Sequence, residues 1–198
     1  MDDDEKAMLL HYLQRHRDAM VWKLDGLTER EARWPATPTG TNLLGLVKHL
    51  AHVEYGYFGQ VFDRPVDDPL FRDLDEAEVN ADMWATADES RDDIVGFYRR
   101  AWANTDAAVA ALSLDAAGFV PWWGPERGHA TLRRVLVHVV QETARHAGHA
   151  DIVREGLDGQ AGLSPAVSNL PEQDAAWWAD YVSRLKVVAE QAGPGRTE

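Results

Sequence analysis

Cysteine is absent from the 198 residues. That excludes disulfides, thiolate metal sites and cysteine nucleophiles together, so any metal here takes nitrogen and oxygen ligands. Positive charge is scarce: 20 Lys and Arg stand against 33 Asp and Glu, a net −13. Nucleic-acid binding rests on basic patches that neutralise phosphate, so the balance argues against a nucleic-acid partner. It argues equally against docking on an anionic membrane. No apolar run approaches the ~20 residues of a spanning helix. The opening Met-Asp-Asp-Asp-Glu-Lys is the reverse of a basic signal-peptide start, so the expected location is the cytoplasm. Glycine-rich phosphate loops are missing. None of Ser90, Ser113, Ser164, Ser168 and Ser183 has the glycine-rich elbow of a nucleophilic serine.

Apolar residues are plentiful. They make up 45% of the chain, with eight tryptophans, enough for one sizeable core. They recur at three- and four-residue intervals over about 4–24, 42–62, 87–113, 131–156 and 172–191. No comparable alternation marks a strand. The expected fold is therefore all-α: a four-helix bundle with an additional C-terminal helix, one domain over 1–198, with 193–198 a flexible tail. An acidic connection with Pro65 and Pro69 spans 63–85. Thr41 is a plausible N-cap for the second helix.

The fourth segment carries a polar stripe. At about 100° per residue, His138, Glu142, His146 and His149 fall within an arc of roughly 80°. Val135, Val139 and Val153 flank that arc, so the stripe points inward. Burying a carboxylate and several imidazoles costs several kcal/mol unless they are paired or bound to a metal. On the second segment, His49 shares its face with Asn42, Gly45, Val53 and Gly56. Two glycines beside an inward histidine serve either close helix packing or a ligand cavity. The two stripes together offer three ligands, His49, Glu142 and His146. Two imidazoles and a carboxylate suit zinc, nickel, iron or manganese and leave a position open. A hydrogen-bonded cluster without a metal uses the same residues. A di-iron carboxylate site needs Glu-x-x-His on each of two helices, which the expected helices lack.

Other residues read less sharply. His52, beside Lys48 and Tyr55, is expected in a peripheral or supporting place; His11 and His16 show no partner pattern. Trp122 and Trp123 either wall a pocket mouth or pack in the core. Arg145 either holds an anionic cofactor or substrate, or forms a salt bridge, for instance to Glu54. His138 is a supporting candidate.

The chain resembles the DinB/YfiT-like superfamily, and within it the DUF664 group. Two stretches carry the likeness, LLGLVKHLAHVE over 43–54 and TLRRVLVHVVQETARHAGHADIVRE over 131–155. The resemblance implies a DinB-type bundle whose metal is held by one residue of the second helix and two of the fourth. Where most of that superfamily has a histidine, Glu142 stands here, as in mycothiol-dependent maleylpyruvate isomerase-type S-transferases, which use zinc. Carried over, the ligands are His49, Glu142 and His146. His149 stands where many relatives have glutamine, which implies a pocket or supporting role. The implied activity is transfer of a low-molecular-weight thiol, mycothiol, bacillithiol or glutathione, to an electrophilic small molecule, the metal lowering the thiol pKa. Two other readings stay open: a non-catalytic metal- or small-molecule-binding protein, its site closed by His149 or His52, and a metal-dependent hydrolase. A homodimer through an exposed apolar helix face is a further expectation.

Overall fold

All five expected helices are present in the computed structural model, which describes residues 2–193 other than Asp73 and Asp75. The expected flexible tail therefore lies, apart from Gly193, outside the described residues. The helices are α1 (Asp2–Trp22), a short α2 (Glu29–Arg33), α3 (Leu43–Phe58), α4 (Arg91–Ala111), α5 (Leu132–Asp158) and α6 (Ala175–Gln191). The chain divides into two units, Met1–Ser168 and Asn169–Glu198. In the first, α1, α3, α4 and α5 pack as a bundle, α3 against α4 and α5, and α1 against α5 and α4. The second holds α6, whose N-cap Asp174 accepts from the Trp177 amide and whose Trp177 stacks on Tyr181 at 5.1 Å. No described helix is long and apolar enough to cross a membrane.

One element departs from expectation. Residues Ala117–Phe119 (β1) pair antiparallel with His129–Thr131 (β2), Ala117 opposite Thr131 and Phe119 opposite His129. Three residues per strand are too few for an alternating pattern to show in a sequence. The hairpin places Pro121–Trp123 in a 3-10 turn between its strands. Thr131 ends β2 and also caps α5, its hydroxyl accepting from the Arg134 amide.

Bundle packing is mostly apolar, with a few buried charges. Leu46, Val47, Leu50, Phe97, Tyr98 and Val153 belong to one buried cluster; Leu13, Phe58, Leu132, Val135, Leu136 and Val139 belong to another. Between α1, α3 and α4, Arg17 meets Glu54, and both side chains are 1% or less exposed. Arg17 Nε and Nη2 donate to the two Glu54 oxygens at 2.8 and 2.5 Å, and Thr105 Oγ1 donates to Oε2 at 2.7 Å. Arg17 Nη1 reaches Asp106 and Gln14, each at 3.1 Å. Glu54 is thus occupied by Arg17, and the pairing with Arg145 considered from sequence does not form.

The acidic connection is strapped to α3. Asn42, rather than Thr41, caps that helix: its Oδ1 accepts from the Gly45 amide at 2.7 Å, and its Nδ2 donates to the Met83 carbonyl at 3.2 Å. A Cβ on Gly45 would lie 1.8 Å from that carbonyl oxygen, so glycine alone lets the loop backbone come this close. Lys48, 2% exposed, donates to the Trp84 carbonyl and to both Glu89 oxygens. Gly56 differs. A Cβ there would meet the Trp122 ring at 3.4 Å, ordinary contact. Gly45→Ala is expected to cost about 1–3 kcal/mol through overpacking against backbone, lowering the melting temperature by several degrees. Gly56→Ala, relieved of helical glycine's ~1 kcal/mol penalty, should leave stability unchanged or raised. Equal melting curves for the two variants would contradict the assignment.

Candidate metal centre

His49 projects from α3, and Glu142 and His146 project one turn apart from α5. Their ligating atoms all lie within 4.8 Å of one another. His146 Nε2 lies 3.0 Å from Glu142 Oε1, and His49 Nε2 lies 3.9 Å from that same oxygen. The two imidazole rings meet edge to face with centroids 4.8 Å apart. The side chains of His49, Glu142 and His146 are 20%, 27% and 12% exposed.

A fourth residue completes the arrangement. Asp82, brought in by the strapped loop, accepts from His49 Nδ1 at 2.6 Å. With Nδ1 committed to a carboxylate, Nε2 is the nitrogen His49 presents to Glu142 and His146. A ligating histidine held through its other nitrogen is the usual support of a metal site. Asp82 escaped the sequence reading because no local pattern singles it out from the other acids of its loop. Gly45 was the available signal, since a helical glycine beside His49 marks where that loop docks.

Electrostatics fit a cation. Burial alone would lower the His49 pKa, but the bond to Asp82 and the facing Glu142 raise it to about 9. Glu142 is drawn down to about 2, with His49 the largest cause, burial opposing, and His146 adding to the pull. Burial lowers His146, with the neighbouring His49 charge adding to it. One proton on His49, between two carboxylates, therefore balances the cluster where a cation would. Three nitrogen and oxygen donors converging on such a point are the donor set of a zinc-type site.

Beside the cluster lies a cavity of about 600 Å³, lined among others by His49, Glu142, Val53, Phe71, Trp122 and His138. Its aromatic wall is fixed at one oxygen. Trp122 and Trp123 both donate their indole N–H to Tyr57 Oη, at 2.9 and 3.0 Å, and Tyr57 donates in turn to His138 Nε2 at 2.9 Å. Both tryptophans line the cavity; Trp122 is half exposed, and Trp123 also packs against the second apolar cluster.

The remaining candidates fall in three places. His52 lines the same cavity and is 4% exposed, so of the supporting and peripheral places expected for it the structure has it buried at the pocket. The neighbours that suggested a periphery are themselves buried, Lys48 against Glu89 and Tyr55 against Asp68. His52 Nδ1 donates to the Lys48 carbonyl at 3.1 Å, and its ring packs on Phe97. His149 packs edge to face with His146, ring centroids 5.3 Å apart, yet it is exposed and outside the cavity lining. Its stripe position repeats, but the stripe runs on past the cavity. Arg145 is exposed and does not line the cavity either, being about 100° round the helix from His146. His11 is exposed and His16 half-buried, both away from the cluster.

A family model described as Mycothiol-S-transferase matches residues 8–159. That span contains all four cluster residues and every residue lining the cavity. No curated protein matches the chain.

Proposed function

This chain belongs to the mycothiol-S-transferase family, and from that premise we propose that it is a divalent-metal-dependent enzyme transferring a low-molecular-weight thiol to an electrophilic small molecule. His49, Glu142 and His146 are the proposed ligands, zinc the first candidate, and nickel, iron or manganese the alternatives with the same donor preference. A divalent cation held there supplies Lewis acidity that lowers the pKa of a bound thiol.

The residues of the chain divide the remaining work. Asp82 keeps the His49 proton on Nδ1 and the ring aimed. Glu142 contributes the only anionic ligand, so the ligand set leaves a divalent cation net positive and able to favour a thiolate. Tyr57 locks both indole rings, and Val53 and Phe71 keep that side of the cavity apolar, which strengthens electrostatics by excluding water. The chain needs no cysteine of its own, because the nucleophile arrives with the cofactor.

The observation that carries this reading is the 600 Å³ cavity bordered by His49 and Glu142. A purely binding site of the closed kind needs a fourth protein donor, and His149 is exposed while His52 is absent from the converging group. The test is conjugation of chlorobimane in the presence of mycothiol, glutathione or bacillithiol, with protein loaded with one metal per chain. Acceleration with mycothiol above the other thiols is expected. Metal-loaded protein that accelerates no thiol, or that turns over with water alone, would overturn it.

A further inference from the structure

A second hollow of about 400 Å³ shares Trp122, Trp123 and His138 with the cavity, and Arg127, Arg134, Val137 and Gln141 complete its lining. We propose that this groove binds an anionic group, a carboxylate above all, on the electrophilic substrate, with Arg127 and Arg134 as its cations. The proposal rests on the activity inferred above and names the class of electrophile.

Charge is the first argument. In a chain of net −13, no acidic side chain among the described residues lines this groove, and neither guanidinium forms an ion pair with any of them. Asp2 and Glu5 of α1, and Asp115, are paired with Arg133 instead. The second argument is the donor pattern. Arg134 lies over the Trp123 ring at 4.7 Å and spends Nη1 on the carbonyls of Arg127 and His129, at 3.4 and 3.3 Å. Among the described residues, its Nε and Nη2 donate no hydrogen bond and the Arg127 side chain donates none. A planar guanidinium pinned on an indole is a preorganised carboxylate receptor.

Position is the third argument. Glu142 and Asp82 line the cavity itself and disfavour an anion beside them, Arg72 being the guanidinium on that lining. A substrate whose reactive end faces His49 and Glu142 must turn its negative group elsewhere, and the shared tryptophan wall leads to Arg127 and Arg134. Gln141, adjacent to Glu142 on α5, adds an amide donor on that route.

The test is equilibrium dialysis of matched probes, 4-nitrobenzoate against neutral 4-nitrobenzamide, on full-length protein. The carboxylate is expected to be retained roughly three- to tenfold more tightly, the range of one or two part-exposed charge pairs. Raising salt should shrink the difference. Arg127→Gln and Arg134→Gln should each bring the ratio towards one. Arg134→Gln also frees the hairpin carbonyls, so Arg127→Gln isolates the charge. Equal retention by the unmodified protein, or a ratio kept in both variants, overturns the proposal. So does a ratio lost only in Arg72→Gln at the cavity, or variants that weaken thiol retention alone. Protein that conjugates chlorobimane without carboxylate preference overturns only the groove assignment. Protein that prefers the carboxylate but conjugates no thiol overturns only the activity.

Discussion

Glu142→Ala is expected to lower affinity for a divalent cation by about 1000-fold or more, and with it all metal-dependent conjugation. Changing a supporting partner of a ligand typically costs roughly 10–100-fold, and removing the only anionic ligand costs more. Asp82→Asn, which leaves the three donors intact, sets the lower mark at about 10–100-fold. The cluster also fixes the pH dependence. His49 holds its proton up to about 9, so below that pH each cation must displace one proton. Affinity should rise about tenfold per pH unit through neutrality and level off above 9. Glu142, ionised down to about 2, adds no slope in that range. The sign for stability is opposite. A histidine whose folded pKa is raised stabilises the metal-free protein fully below 6.5 and loses that contribution as pH rises towards 9. Elemental analysis and competition titration with a chelator measure all of this. Unchanged metal content in Glu142→Ala and His146→Ala, or a flat pH profile, would refute the ligand set.

Arg17→Ala is expected to destabilise the bundle by about 3–5 kcal/mol, because it strands the Glu54 carboxylate in the interior. For a chain this long that is a drop of roughly 10 °C in melting temperature. An exposed pair of the same residues would be worth under about 1 kcal/mol, and both side chains here are 1% or less exposed. The control is Arg17→Met with Glu54→Leu. Removing both charges should recover most of the loss, since a buried pair is poor value against a hydrophobic replacement. Chemical denaturation of the three proteins decides it. A single variant losing less than about 1 kcal/mol would show that Glu54 finds water or another partner.

The helices were legible because each repeats its apolar residues along one face, and the stripe on α5 was legible for the same reason. His49 could be joined to Glu142 and His146 because all three sit on inward faces, where spacing carries orientation. What spacing cannot show is which loop returns to a helix. Asp82 lies 33 residues from His49 in the chain, and the backbone passes over Gly45 to bring it there. The same blindness left His52 open between a supporting and a surface place. Lys48 reads as a surface residue until Glu89, from the far end of the same loop, is seen to neutralise it. The hairpin escaped for want of length. Arg145 lies about 100° round α5 from His146, whereas Arg127 and Arg134 lie in a turn and a first helical turn, where periodicity gives no direction.

The Tyr57 oxygen has no hydrogen-bonding valence to spare. It accepts from two indoles and donates to one imidazole, so a phenol that looks like a ready proton donor is unavailable to any guest. Both indoles have likewise surrendered their N–H groups, which leaves that wall only π surface to offer. Recognition there is a matter of shape and polarisability, indifferent to the guest's own donors and acceptors. Such a wall tolerates many guests of similar breadth, leaving discrimination to the polar groups at either end.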